Sequence, residues 1–187
     1  MAETNQTIID QQFENGNSLV DYLKNQQQIS FFNEAENSFR KTILLSSASF
    51  FEKEICSTVI EFAKSHTDNN ELIIAIIKQK AVSRQYHTYF NWESANANVF
   101  FGLFGDDFKT RMSKKVKEDE NLEKAIKSFL EIGRERNKMV HQNFAEVVID
   151  KTAEEIYKLY QSSLYFIETI KNELVNREHK AEKITLA

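Results

Sequence analysis

The sequence of 187 residues contains no proline, only four glycines and a single cysteine. Proline and glycine punctuate all-β folds, so their scarcity favours long, uninterrupted helices. The one cysteine, Cys56, excludes an internal disulfide and cannot form a thiolate metal site by itself. Because Ile55 and Val59 are its apolar neighbours, we interpret Cys56 as a small buried hydrophobe.

Long apolar runs and an excess of basic residues are also missing. The longest apolar run, residues 72–77, is too short to span a bilayer, and the polar N-terminus lacks the basic-then-apolar order of a signal peptide. We therefore expect a cytoplasmic protein with no membrane contact. The formal net charge is -4, so any binding of nucleic acid must come from a local patch.

The periodicity of apolar residues predicts an all-α protein, a bundle of about five main helices. Its expected division is a flexible N-terminal tail over residues 1–16, one domain over residues 17–178 and a C-terminal tail over residues 179–187. A first strong helix is predicted over residues 33–65. Residues 71–82 are apolar nearly all round, which predicts a central buried helix.

The stretch RERNKMVH, residues 134–141, lies at the end of a helix predicted to begin near Leu122. Apolar residues recur along this helix at steps of three and four, which places Arg136 in the stripe that faces the interior. Asn137 and His141 are four residues apart beside that stripe. An arginine is rarely buried without a partner or a task, and histidine is the side chain that titrates nearest neutral pH. The pattern therefore predicts a functional site.

The sequence Arg136-Asn137, followed after three residues by His141, resembles the signature of HEPN-domain proteins. In that family an arginine, four to six residues and a histidine mark metal-independent ribonucleases. The segment FFGLFGDDF, residues 100–108, and the helical layout are also similar to HEPN members of bacterial defence and toxin loci. The resemblance covers about residues 35–175 and implies an antiparallel HEPN-like bundle that acts on RNA without a cofactor.

The three side chains suit the cleavage of RNA. His141 could exchange a proton with the 2′-hydroxyl or the leaving oxygen, and Arg136 could bind the phosphate oxygens. Asn137 could orient the imidazole or hold a phosphate oxygen. The expected products are a 2′,3′-cyclic phosphate and a free 5′-hydroxyl, and the histidine spacing does not predict a metal site. The resemblance further implies a homodimer in which two Arg/His sets face one composite cleft.

Several other residues are candidates for a supporting role. Glu52 lies inside an apolar stripe, where its carboxyl either reaches water at a rim or orients Arg136 or Asn137 across the bundle. Aromatic residues are dense over residues 84–108, and either stack on bases or form a core lid or an interface. A solvated helix face or a strip that contacts RNA phosphates would explain the basic side chains Lys109, Arg111, Lys114, Lys115 and Lys138.

Two other functions fit the same sequence. One is a catalytically inactive HEPN module that binds nucleotide, RNA or a partner protein, and the other is a helical interaction protein. HEPN toxins that are silenced by a nucleotidyltransferase carry a tyrosine two residues after the histidine, where this chain has Asn143. The sequence therefore leaves any antitoxin or regulatory partner unidentified.

Overall fold

The structure is a computed structural model that describes residues 6–142, 144 and 146–176, and all regular elements within these ranges are helical. The α-helices are α1 (Ile8–Asn25), α2 (Ile29–Ser65), α3 (Glu71–Ile77), α4 (Asn98–Gly102), α5 (Asp106–Glu118), α6 (Glu120–His141) and α7 (Ala153–Lys171). Five of these described helices have 13 or more residues. The prediction of an all-α protein with about five main helices is confirmed.

Short helical turns of other types complete the architecture. The π-helical turns Lys78–Val82 and Asn172–Asn176 continue α3 and α7, and the 3-10 turn Tyr86–Thr88 follows the first of them. A capping box is present at α7, where the hydroxyl of Thr152 accepts from the backbone N–H of Glu155. This cap satisfies a donor that the first turn of α7 would otherwise leave unpaired.

The longest helices α1, α2, α6 and α7 form a bundle around an aromatic core. The ring of Phe51 in α2 lies 5.4 Å from Phe129 in α6 and 5.5 Å from Tyr160 in α7. Helix α1 is held against α7 because the hydroxyl of Tyr160 donates to the Thr7 hydroxyl at 2.8 Å. The core therefore joins elements from the beginning, the middle and the end of the chain.

Residues 66–119 connect α2 to α6 and include the whole aromatic stretch, residues 84–108. Phe90, Phe100 and Phe101 are buried, and the Phe90 ring lies 4.8 Å from Phe129 in α6. Of the two interpretations of the aromatic residues, core packing is correct for these three. Tyr86 and Trp92 are half-buried and lie at the edge of this cluster.

Two sequence predictions about helices are wrong. Residues 8–16 are not a flexible tail, because α1 begins at Ile8 with a capping box between Thr7 and Asp10 and buries Ile9 and Phe13. Helix α3 is not a central buried helix, since it has no buried residue and Leu72 is 82% exposed. Leu72, Ile73 and Ile76 are exposed, whereas Ile77 is half-buried and packs against the core. The predicted C-terminal tail, residues 179–187, lies outside the described residues.

No helix in the described part of the chain combines the length and the apolar character that crossing a membrane requires.

A close approach between Gly133 and Trp92 connects α6 to the segment that precedes α4. Gly133 is buried, and a Cβ atom at this position would overlap the six-membered ring of Trp92. The Trp92 ring also packs 6.0 Å from Phe129, one turn earlier in α6. Glycine is therefore required at position 133 for the indole to lie against the helix backbone.

The variant Gly133→Ala should lower the free energy of unfolding by roughly 1–3 kcal/mol, because the added methyl overpacks a filled contact. Gly102→Ala is the matched control, since the nearest atom to its new Cβ is Lys109 Cδ at 3.8 Å. Urea unfolding monitored by circular dichroism would measure both variants. Equal effects of the two substitutions would contradict the close approach at Gly133.

Candidate active site

The side chains predicted to form a site line one solvent-accessible cleft of about 430 Å³. Glu52 of α2 and Arg136, Asn137 and His141 of α6 all contribute to its lining. The floor is apolar and includes the buried residue Phe129. A cleft of this size with a few convergent polar groups is the usual form of a binding or catalytic site.

Helix α6 presents the Arg136, Asn137 and His141 side chains in its last two turns. Arg136 and Asn137 are half-buried, and Arg136 Nη1 donates to the Asn137 amide oxygen at 3.2 Å. His141 is the final residue of α6 and is exposed. The guanidinium is therefore oriented by its neighbour, while the imidazole remains open to a ligand.

A buried lysine fixes the chain just after the motif. Lys41 of α2 is only 5% exposed, and its ammonium group donates to the backbone carbonyl of Phe144 at 2.8 Å. The same ammonium lies 5.0 Å from the centroid of the Phe144 ring. Because Phe144 follows His141 by three residues, these contacts anchor the C-terminal end of α6 to α2.

The wall of the cleft opposite α6 comes from the segment between the π-helical turn and α4. Arg84, Tyr86, His87 and Trp92 line the cleft from this side. The indole N–H of Trp92 donates to the carbonyl of His87 at 3.1 Å. This hydrogen bond holds the segment in a fixed shape over the Trp92 and Gly133 contact.

Electrostatic interactions couple Glu52, Tyr86 and Arg136 across the cleft. Burial raises the pKa of Tyr86 well above its usual range, the negative charge of Glu52 and the Cys56 thiolate raise it further, and Arg136 opposes this shift. Tyr86 therefore keeps its proton at neutral pH and can act as a hydrogen-bond donor. Both Glu52 and Arg136 act on one hydroxyl, so the two charges share the same part of the cleft.

Glu52 lines the cleft with a half-buried side chain. Among the described residues, no hydrogen bond or ion pair joins it to Arg136 or Asn137. Its supporting role in the site stays a prediction. Its influence on neighbouring residues is electrostatic.

The predicted basic strip does not join the cleft. None of Lys109, Arg111, Lys114 and Lys115 of α5 lines it. Arg111 and Lys115 instead pair with Glu173, at 3.6 Å and 2.7 Å. Lys138 is exposed beside the cleft residues and pairs with Glu135 at 2.8 Å. A solvated, ion-paired helix face accounts for Arg111 and Lys115, and RNA binding by the strip stays a prediction.

Sequence reasoning missed Arg84 and His87. They lie in an irregular segment where neither helical nor strand periodicity indicates which side chains share a face. The sequence signal available was an arginine three residues before a histidine inside the aromatic stretch. That signal is too common to single out a site, so the fold was needed to place these residues in the cleft.

The all-α bundle is consistent with the class of proteins called HEPN domains. The family model described as RiboL-PSP-HEPN matches residues 13–176, and the chain belongs to this family. Comparison with curated proteins and with solved structures finds no match. Membership of the family supports an RNA-related role.

The electrostatic effect of Glu52 can be measured through the pKa of Cys56, the only thiol of the chain. Burial first, and Glu52 second, raise the pKa of Cys56 to about 11. Glu52→Gln should lower that pKa because it removes a negative charge that disfavours the thiolate, but burial should keep the pKa above the ordinary 9.0. At pH 9 to 10 the variant should therefore react faster with a thiol reagent, since the thiolate is the reactive form.

The control for this experiment is Glu54→Gln, two residues along the same helix. Glu54 raises the pKa of Tyr160 and is not among the causes of the shift at Cys56. The pH dependence of the labelling rate should therefore match the wild-type protein. A rate profile that is the same in all three proteins would show that Glu52 does not act on this part of the site.

Proposed function

We propose that this protein is a metal-independent endoribonuclease whose reaction takes place at Arg136, Asn137 and His141. The observation that carries the proposal is that these three side chains line one open cleft at the end of α6. A toxin or defence enzyme that cuts cytoplasmic RNA and is restrained by a regulatory protein is the biological role we infer. The family assignment supports the RNA-related part of this role.

The proposed reaction is the attack of an RNA 2′-oxygen on the neighbouring phosphate. His141 exchanges a proton with the 2′-hydroxyl or with the leaving 5′-oxygen, and its exposure gives a bound strand access to the imidazole. Arg136 places a forked guanidinium on the phosphate oxygens, where negative charge grows in the transition state. The bond to the 5′-oxygen breaks, leaving a 2′,3′-cyclic phosphate and a 5′-hydroxyl.

Asn137 and Tyr86 assist this arrangement. The amide oxygen of Asn137 accepts from Arg136 Nη1, so it orients the guanidinium and leaves its own NH₂ group for a phosphate oxygen. Tyr86 retains its proton and offers a second neutral donor in the cleft. The set therefore combines one fixed positive charge, one titratable group and two neutral donors.

We further propose that the active form is a homodimer with one composite site. Val140 at the end of α6 is 50% exposed, and Phe144 and Val148 in the following connector are 54% and 80% exposed. Val140 lines the cleft, and exposed apolar side chains such as these three are suited to an interface. An isologous contact through this region would bring two Arg136/His141 sets together.

The separate roles of His141 and Arg136 in the proposed reaction can be tested with purified protein. His141→Ala should reduce RNA cleavage by about 100-fold or more and leave RNA affinity nearly intact, because a proton-transfer group acts mainly in the transition state. Arg136→Ala should weaken both binding and cleavage, since a guanidinium contacts the phosphate in both states. Cleavage of labelled RNA, with filter binding in parallel, would measure the two effects.

Arg134→Ala is the matched control, because Arg134 belongs to the same helix turn but lines a different groove. Its cleavage rate should equal that of the wild-type protein. The wild-type protein should also keep full activity in EDTA. Cleavage that survives both site substitutions, or that is lost with chelation and restored by magnesium, would show that the site lies elsewhere. RNA binding without cleavage would favour the inactive HEPN module.

Oligomeric state is the second test of the proposal. Light scattering at micromolar concentration should give twice the 21.9 kDa mass of the chain. Val148→Asp should shift the species towards the monomer and reduce cleavage, whereas Leu72→Asp, an equally exposed apolar position on α3, should change neither. A single 21.9 kDa species in the active wild-type protein would rule out the composite site.

A further inference from the structure

Arg84 and His87 line the same cleft as the motif but have no part in the proposed reaction. The orientation of their segment separates them from their neighbours. Lys80, Gln85 and Thr88 line a different groove, which lies against α2. The segment therefore places one arginine and one histidine in the cleft of the motif, and places these three neighbouring polar residues in the other groove.

The backbone at Arg84 adopts a conformation that is rare for any residue other than glycine. Its φ is +59°, in the left-handed region that favours glycine. The turn is held on both sides, since the Ser83 N–H donates to the Lys78 carbonyl at 2.8 Å and the Gln85 N–H donates to the Val82 carbonyl at 3.1 Å. Strained positions of this kind persist when the surroundings determine them, and they cluster at ligand sites.

The position of His87 is connected directly to α6. Its carbonyl accepts from the Trp92 indole, and the same indole lies against Gly133. The two walls of the cleft are therefore held at a fixed spacing by one side chain. Arg84 and His87 line the same cleft as Arg136, on the wall that comes from the irregular segment.

The charges of the cleft favour an anionic polymer. Two arginines, Arg84 and Arg136, face one carboxylate, Glu52, in a chain whose net charge is -4. Within the described ranges, no hydrogen bond or ion pair joins the side chain of Arg84 or of His87 to another residue. Both side chains are exposed, so their donors are available to phosphate oxygens.

The size of the cleft restricts the ligand further. A volume of about 430 Å³ falls in the range of small-molecule pockets, so it accepts an unpaired nucleotide but not a double helix. RNA-binding proteins that read unpaired nucleotides take them from single strands, loops and ends. Positive groups on two walls then match a strand with successive phosphates.

We propose that Arg84 and His87 bind the phosphate next to the scissile one, which makes single-stranded RNA with at least two consecutive phosphates the substrate class. The proposal rests on the proposed function for the assignment of the scissile phosphate to Arg136 and His141. Arg84 and His87 position the strand and take no part in proton transfer.

Substrate length gives the first test. Arg84→Gly removes the guanidinium and suits the left-handed backbone, so it should preserve the fold. With a trinucleoside diphosphate, this variant should raise KM about tenfold with little change in kcat, as expected for one lost charged contact. With a dinucleoside monophosphate, which has only the scissile phosphate, KM should stay unchanged. His87→Gln should show the same split.

Salt dependence gives a second readout on the longer substrate. Loss of one phosphate contact should reduce the slope of log KM against log salt by about 0.7. Lys80→Ala and His66→Gln are the matched controls, because neither residue lines the cleft. Both should keep the wild-type KM and the wild-type salt slope.

Binding without cleavage can be followed through Trp92, the only tryptophan of the chain and a residue of the cleft. A 2′-deoxy trinucleotide cannot react because it lacks the attacking hydroxyl. It should change the fluorescence of the wild-type protein in a saturable way and bind about tenfold more weakly to Arg84→Gly.

The outcomes separate this inference from the proposed function. If wild-type protein cleaves RNA while Arg84→Gly and His87→Gln match the controls in every assay, the inference is overturned and the function stands. An equal rise of KM on both substrates would place the two residues at the scissile phosphate and also overturn it. If no RNA is cleaved but Arg84→Gly weakens the fluorescence binding, the phosphate site stands and the nuclease function fails. No saturable fluorescence change with wild-type protein would overturn the inference.

Discussion

The contact between Trp92 and the backbone of α6 at Gly133 is the constraint on which the cleft depends. It is possible only because position 133 has no side chain, and it places a large aromatic ring directly against the helix that bears Arg136 and His141. Through its indole N–H, the same ring holds the carbonyl of His87. One packing contact thus determines the distance between two walls that are far apart in the sequence.

A second constraint acts at the other end of the motif. The ammonium of Lys41 is buried and bonded to the Phe144 carbonyl, which ties the chain after α6 to α2. A buried charge is costly without such partners, so its position is well determined by them. With Gly133 upstream and Phe144 downstream, the last two turns of α6 are held from both sides while His141 stays exposed.

The balance of charged residues in the cleft differs in sign from the net charge of the chain. The net charge of -4 disfavours general attraction to nucleic acid, and α5, its most basic helix, has Arg111 and Lys115 engaged with Glu173. The cleft instead combines two arginines with one half-buried glutamate. The positive charge that the proposed RNA substrate requires is therefore local to the cleft and is not a property of the surface as a whole.

The amino-acid sequence by itself determined the helical class, the helices α2 and α6 and the motif. The absence of proline and the scarcity of glycine favour long helices anywhere in the chain. The spacing of apolar residues indicates each helix from a short stretch of sequence alone. The resemblance of Arg136, Asn137 and His141 to a known signature likewise needed only their spacing along α6. The family assignment over residues 13–176 agrees with that reading.

Only the tertiary structure decided which helix faces are buried and which loop residues join the cleft. The exposure of α3 and the burial of Ile9 and Phe13 depend on which surfaces other helices already cover. Arg84 and His87 join the cleft because an irregular segment folds back over Gly133, and no repeating pattern marks such a segment. Periodicity indicates which face of a single helix is apolar. A site built from α2, α6 and a loop depends instead on contacts between residues far apart in the sequence.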